Sequence, residues 1–407
     1  MNKAIDVGDP TIFHNEAYFV NPYETYRQLL SAGEIHYLNL YGGMWYLGSY
    51  EAVSAVLTDN RVSHDTVKYL AIQFTDEQRA QLSEFIRLYS MWMSLKDGKE
   101  HVRLRNITHK AFALSMREIV PTIQTMVDSL LDNFDGKGQV DFLKDFAYHL
   151  PALVVMKLIG IPLEDRLLGV ACADSLGELF GSTQANFDVA LRAQKNLVEM
   201  TRYLEELIAK RRLKPENDFI SNMLAVEDNG EKLTVDEIHA QCSMLLFAGH
   251  ETTRNLFGNG LYTLLKHPQQ LKKLKENPGH MRTAVQEMLR YDSPVQYTVR
   301  EATEDMEIYG RSIRQGQPIL FCFGSANHDP QKFTSPEVFD ITRNESRNLS
   351  FGMGIHSCTG AQLALMEAEI AFTSLIKRFP DMKLVDERPN WLLNAGFRGL
   401  QDLYIAI

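Results

Sequence analysis

Residues 351–360 read Phe351-Gly352-Met353-Gly354-Ile355-His356-Ser357-Cys358-Thr359-Gly360. The three glycines let the backbone turn sharply and approach a flat ligand closely. The cysteine stands just before an apolar helical pattern over about 361–379. A thiolate there gains from free N–H groups and from the positive end of the helix dipole. Such a sulfur suits a haem iron, where thiolate ligation pushes electron density to the metal and favours O–O cleavage. On these residues alone, a tight turn around a buried, inert cysteine remains open. A dinucleotide-binding loop fits worse, because position 357 is Ser where a third glycine is needed and Cys358 would have no role.

The rest of the 407 residues sets the context. Hydrophobic residues make up 45% and charged residues 23%, as in an ordinary globular chain. The net charge of −10 argues against binding a phosphate backbone, so no nucleic-acid partner is expected. The four cysteines, Cys172, Cys242, Cys322 and Cys358, form no CxxC, which speaks against a disulfide framework or zinc ribbon and for a reducing cytoplasm. No run of about 18 apolar residues occurs, so no membrane partner is expected.

Helical spacing dominates the middle of the chain, over 99–114, 118–134, 141–160, 164–180, 187–212, 217–227 and 279–291. The segments 35–50 and 295–325 read as the β-rich part, with a hairpin turning at Gly42-Gly43. Thr234-Val235-Asp236-Glu237 is a capping box, and the helical pattern after it runs to Lys266. That is a helix of roughly 50 Å, long enough to cross the whole molecule. These patterns predict one mainly α domain over 1–407 with small β-sheets.

Inside the long helix stands Ala248-Gly249-His250-Glu251-Thr252-Thr253. Glycine costs about 1 kcal/mol against alanine there, and a buried carboxylate costs more unless it is used or paired. A local opening of the helix is expected, with hydroxyls bonding the backbone. HETTR misses the zinc motif HExxH, since Arg254 holds the second His position. A kinked core helix with Glu251 in a salt bridge remains open. His101 and Arg105 share one helix face at i, i+4, and Glu287 and Arg290 form one of six ExxR patterns.

FGMGIHSCTG resembles the haem-binding signature of the cytochrome P-450 superfamily, FGxGxHxCxG. AGHETT resembles its AGxET(T) segment, EHVRLR its EHxRLR, and Glu287-Met-Leu-Arg290 its ExxR. The resemblance covers about residues 97–379 and implies the triangular-prism fold, with haem b between the long helix and the cysteine-bearing helix. It implies Cys358 as the metal ligand. Haem contacts would come from His101, Arg105, Ala248, Thr252, Arg300, Phe351, Gly352, His356 and Gly360. Thr252 and Glu251 would be catalytic, the first acting on the oxygen held at iron and the second relaying protons. Glu287, Arg290 and Arg343 would be structural. Asn348 stands where many bacterial members carry a propionate-binding His. The substrate pocket would include Phe85, Met91, Trp92, Leu245, Ala248, Val295, Val299 and Phe397, with parts of 170–190, and the 164–212 helix pair would move as a lid.

The implied reaction is insertion of one oxygen atom from dioxygen into a mostly hydrophobic small-to-medium substrate, as in polyketide or macrolide tailoring. Epoxidation, oxidative coupling or a haem-thiolate sensor are the alternatives. No flavin or iron–sulfur segment follows the last strand pattern, so electrons are expected from a separate ferredoxin or flavodoxin with its NAD(P)H reductase. A cytoplasmic monomer is expected.

Overall fold

The capping box predicted at Thr234 opens an α-helix that runs from Val235 to Lys266, here α8. Thr234 Oγ1 accepts from the Glu237 backbone N–H, and the Glu237 carboxylate accepts from the Thr234 N–H, which satisfies two otherwise orphaned donors. The computed structural model describes residues 5–40, 42–181, 186–228, 230–345 and 347–407. In chain order the elements used below are α1 (Pro22–Ala32), β1 (Ile35–Leu38), β2 (Met44–Leu47), α2 (Tyr50–Leu57), β3 (Val62–Ser63), α3 (Ser83–Ser90) and α4 (Gly98–Asp132). They continue with α5 (His149–Ile159), α6 (Arg166–Gly181), α7 (Phe187–Leu213), α8, α9 (Met281–Tyr291), β4 (Tyr297–Ala302), β5 (Pro318–Cys322) and α10 (Ala361–Arg378).

The fold is mainly helical, with α8 packed against α5, α6, α7, α9 and α10. Three glycines of α8 permit this crowding. A Cβ on Gly249 would stand 2.5 Å from Val155 of α5, one on Gly258 would stand 2.8 Å from Leu143, and one on Gly260 would stand 2.9 Å from Met288 of α9. Helix propensity is sacrificed so that the backbones can approach. Contrary to the expected opening, α8 is α-helical throughout, and no break separates Ala248 from Thr253.

The patterns at 99–114 and 118–134 fuse into the single helix α4. Ser115 turns its hydroxyl back to the Ala111 carbonyl, and Ile119, Ile123, Val127 and Leu131 continue the buried stripe past Pro121. The stripe's packing outweighs the hydrogen bond that proline lacks.

One sheet has the order β1-β2-β5-β4-β3. The hairpin β1–β2 pairs antiparallel, while β2 runs parallel to the distant β5, with Trp45 opposite Ile319. Strand β4 pairs antiparallel with β5 and with β3, placing Val62 opposite Ala302 and Ser63 opposite Glu301. A second sheet joins Gln139–Asp141, Lys383–Leu384 and Tyr404–Ala406. Among the described residues, no helix is long and apolar enough to cross a membrane.

Candidate active site

The loop before α10 is built around left-handed glycines. Gly352 has φ 65° and Gly354 has φ 77°, a region that side chains with a Cβ rarely adopt. The Cys358 backbone N–H donates to the Phe351 carbonyl at 2.9 Å, and the Ser357 N–H donates to the Gly354 carbonyl at 3.1 Å. These bonds close the loop and present the sulfur to a cavity of about 390 Å³. Cys358 is accessible there, whereas Cys172, Cys242 and Cys322 are buried. Burial pushes the Cys172 thiol up to about 12 and the Cys322 thiol up to about 11. Burial also raises the Cys358 thiol, but the N–H groups of Gly360 and Ala361 and the Arg105 guanidinium oppose it. An anionic sulfur therefore finds its donors at the helix start.

The opposite cavity wall is α8. Ala248, Gly249, Thr252 and Thr253 border the cavity, and the Thr252 hydroxyl donates to the Ala248 carbonyl at 2.7 Å. Glu251 points away from it. It is buried under α6, where its Oε1 accepts from Arg254 at 2.9 Å and from Asn255 at 3.1 Å.

One edge of the cavity collects bases. His101 and Arg105 of α4, Arg300 of β4, His356 of the cysteine loop and His64 all border it. The Arg300 Nε donates to His64 Nε2 at 3.1 Å. The His64 ring stacks on His356 with centroids 3.2 Å apart, and His356 stacks on His101 at 3.7 Å. Asp97, the acid on this edge, accepts from the Ser63 hydroxyl and the His64 backbone N–H instead. Burial, reinforced by neighbouring positive charge, holds His101 down to about 4 and His356 down to about 3, while burial lowers Arg300 to about 10. The Nδ1 atom of His101 is buried without a hydrogen-bond partner. Guanidinium groups and an unpaired ring nitrogen converging on one edge fit a dianionic group, such as the two propionates of a haem. With the sulfur beneath and a glycine-lined floor, the residues present fit that cofactor.

His64 was not among the residues read from sequence. The register reveals it: with Ser63 opposite Glu301, the residue just after β3 is brought to Arg300. Asn348 takes no part, because its amide donates to the Gln286 carbonyl and side chain.

The expected pocket residues divide. Trp92, Leu245, Ala248 and Val295 border the cavity. Val299 does not, because side chains alternate along a strand: Thr298 and Arg300 face the cavity, so Val299 faces the other way and packs on a buried cluster that includes Leu320 and Tyr46. Phe85 lies behind the wall, stacked on Tyr89, and Phe397 sits edge-on to Phe247 at 5.9 Å. Met91 is also set back, with its carbonyl accepting from Gln241. Of the expected 170–190 stretch, residues 182–185 lie outside the described residues.

Behind the cysteine loop, Glu287 and Arg290 of α9 form a pair with side chains 2% exposed on each side. Arg290 donates to Glu287 at 2.8 and 2.9 Å and to the carbonyls of Asn327 and Pro336 at 2.9 Å each, while Arg343 Nε donates to Glu287 at 3.1 Å. The ExxR pairs at Glu24 and Glu84 are exposed and the Glu251–Arg254 pair is less deeply buried, so the depth of burial and the third partner, Arg343, distinguish this one.

A family model described as cytochrome P450 matches residues 179–392. The polyketide biosynthesis cytochrome P450 PksS of Bacillus subtilis (strain 168) is 36% identical over 405 residues, covering 97% of this chain and 98% of that protein. The chain belongs to the cytochrome P450 family. The biotin biosynthesis cytochrome P450 of the same organism is 37% identical over 390 residues, 95% of this chain and 96% of that protein. Among solved structures, P450BioI in complex with hexadec-9Z-enoic acid ligated acyl carrier protein superposes with a TM-score of 0.89 at 36% identity, covering 97% of this chain and 100% of that one. As a cytochrome P450, the protein is a haem b-dependent monooxygenase, and the mainly α fold with small sheets is the fold of that family.

Proposed function

We propose that this P450 hydroxylates a mostly hydrophobic small-to-medium molecule in secondary-metabolite biosynthesis, of the polyketide or macrolide tailoring kind. One observation carries the reading: the Cys358 sulfur, the basic edge and the Thr252 hydroxyl all border a single cavity. The upper lining supports an apolar substrate, since Trp92, Met93, Met244, Leu245, Phe247 and Val295 dominate it. The Trp92 indole N–H is already spent on Ser243 at 3.2 Å. The likeness to PksS supports the polyketide context.

When bound, the haem supplies dioxygen activation and the oxidation of a substrate carbon. Cys358 would hold the iron, and His101, Arg105, Arg300, His356 and His64 would hold the propionates. Thr252 Oγ1 can turn from the Ala248 carbonyl to donate into the cavity, and it keeps a hydroxyl proton at the reacting side of α8. Glu251, one residue earlier, carries protons from the α6 side, with its Oε1 held by Arg254 and Asn255. The apolar wall excludes bulk water and orients the carbon to be oxidised. Electrons come from a separate ferredoxin or flavodoxin with its NAD(P)H reductase, and the protein works as a cytoplasmic monomer.

The test is turnover with a generic ferredoxin system against apolar candidates that shift the haem spin state. Oxygenated product with NADPH consumption is expected. Spin-shifting ligands that never yield product would sink the catalytic reading in favour of a binding or sensor role.

A further inference from the structure

The site described above leaves several buried titratable groups of α8 unused, and one of them, His250, stands next to Glu251. His250 is 1% exposed and does not border the cavity. Its two ring nitrogens face two acceptors. Nε2 stands 3.0 Å from the Tyr148 carbonyl oxygen. A carbonyl only accepts, so Nε2 carries a hydrogen and donates. Nδ1 stands 3.6 Å from Asp174 Oδ1, on α6. Both of these atoms are buried, and neither has a hydrogen-bond partner. The other Asp174 oxygen accepts from the Tyr148 hydroxyl at 2.6 Å, and the Tyr148 ring packs edge-on to the imidazole at 5.1 Å. The carboxylate and the ring are thus held facing each other from two helices.

In the neutral ring, two lone pairs oppose each other across 3.6 Å. Only the doubly protonated ring offers a donor to each acceptor. We propose that His250 and Asp174 form a proton-operated latch, in which a proton taken up by His250 ties α6 to α8 directly beside Glu251. The proton can come from solvent, since the Asp174 side chain is 41% exposed. Asp174 from α6, Tyr148 from the turn before α5, and Glu251 and Arg254 from α8 are the groups that face the ring. The two carboxylates favour its charged form, whereas Arg254 and burial disfavour it. Burial dominates and holds His250 below the usual 6.5, so the latch closes on the acid side of neutrality.

What the latch controls is the cover over Glu251. Gly177, one turn beyond Asp174, faces that carboxylate, and a Cβ there would meet Oε2 at 3.7 Å. His250 is therefore a positioning residue. Its effect on turnover rests on Glu251 being the proton carrier, but the latch itself does not.

The test is hydrogen–deuterium exchange of α6 peptides in the ferric holoenzyme, between about pH 5.5 and about pH 8, where imidazole titrates. After correction for intrinsic rates, wild-type α6 should exchange several-fold more slowly at the acid end. Asp174→Asn keeps an oxygen for the Tyr148 hydroxyl and offers an N–H to the neutral Nδ1, so its α6 should be slow and flat across the range. His250→Gln keeps the donor to the Tyr148 carbonyl but lacks the second nitrogen, and its α6 should be fast throughout. An Asp174→Asn profile that follows wild type, or acid-side protection surviving in His250→Gln, overturns the latch. If His250→Gln does not fold, the half-exposed Asp174→Asn decides alone. The Soret band recorded first reports haem loading, which separates a failed latch from a failed cofactor site.

Discussion

Cys358 and Thr252 do different work at the same cavity, and single substitutions separate them. Cys358→Ser removes the only cavity-facing thiol among the described residues. Its reduced carbon monoxide complex should lose the band characteristic of thiolate ligation, while the helical circular dichroism stays. Retention of that band would mean another group holds the iron. Thr252→Ala removes a hydroxyl whose present partner is the Ala248 carbonyl within its own helix. Such a hydroxyl adds little to stability, so the variant should fold and bind haem as wild type does. Its product formed per NADPH should fall by about 100-fold, the lower bound for a lost acid–base group. Unchanged coupling would remove Thr252 from proton delivery. Both residues were legible in the chain because their motifs are local. His64 was not, since a lone histidine in Arg61-Val62-Ser63-His64 acquires meaning only when β3 pairs with β4 and brings it to Arg300. Val299 misled for the converse reason: it stands in the right strand, but the pleat turns it to the other face.

At the scale of elements, α8 is decided by what presses on it. Its capping box and apolar spacing define its ends in the sequence, but its glycines look like weak points until their neighbours are known. Gly249→Ala should by propensity stabilise an isolated helix by about 1 kcal/mol. Here the new Cβ meets Val155 Cγ2 at 2.5 Å, and valine is a short, stiff side chain that cannot swing clear. Overpacking of this kind costs about 1–3 kcal/mol. Gly249→Ala should therefore lower the midpoint of denaturant unfolding, and a raised midpoint would show that α5 yields freely. The same contact explains why the expected opening at 248–253 is absent: close packing by α5 and α6 holds the helix intact, and Thr252 satisfies a carbonyl that solvent would otherwise claim. In α4 the apolar spacing reads as two segments, 99–114 and 118–134. The buried stripe on one side of the chain made them one.

The whole molecule carries a pH dependence set by buried histidines away from the sulfur. His328 is held down to about 3, first by burial and then by the positive charge of Arg290, with its Nε2–H given to the Tyr291 carbonyl and its ring stacked on Tyr23 at 4.1 Å. The unfolded imidazole titrates near 6.5. Between those values the unfolded chain binds more protons than the folded one, so stability rises with pH and is lost as pH falls from about 6.5 toward about 3. His328→Phe keeps the ring stack but has no proton to bind. Its unfolding midpoint should fall less steeply than wild type over that window, and parallel slopes would acquit His328.

The sequence by itself determined the class of chemistry and most of the helices. A cysteine among glycines before a helix and an acid–alcohol pair inside a long helix are short motifs that gave the chemistry through their resemblance to a family's signatures, while repeats of three and four are short-range patterns that local backbone physics is enough to read. Only the tertiary structure decided which bases meet at one edge of the cavity, which of the expected pocket residues reach it, and which of six ExxR pairs lies deepest and is joined by Arg343. Those outcomes depend on strands paired across more than 200 residues, such as Trp45 with Ile319, and on helix faces chosen by packing. No window of neighbouring residues contains that information, because the contacts exist only once the chain has closed on itself.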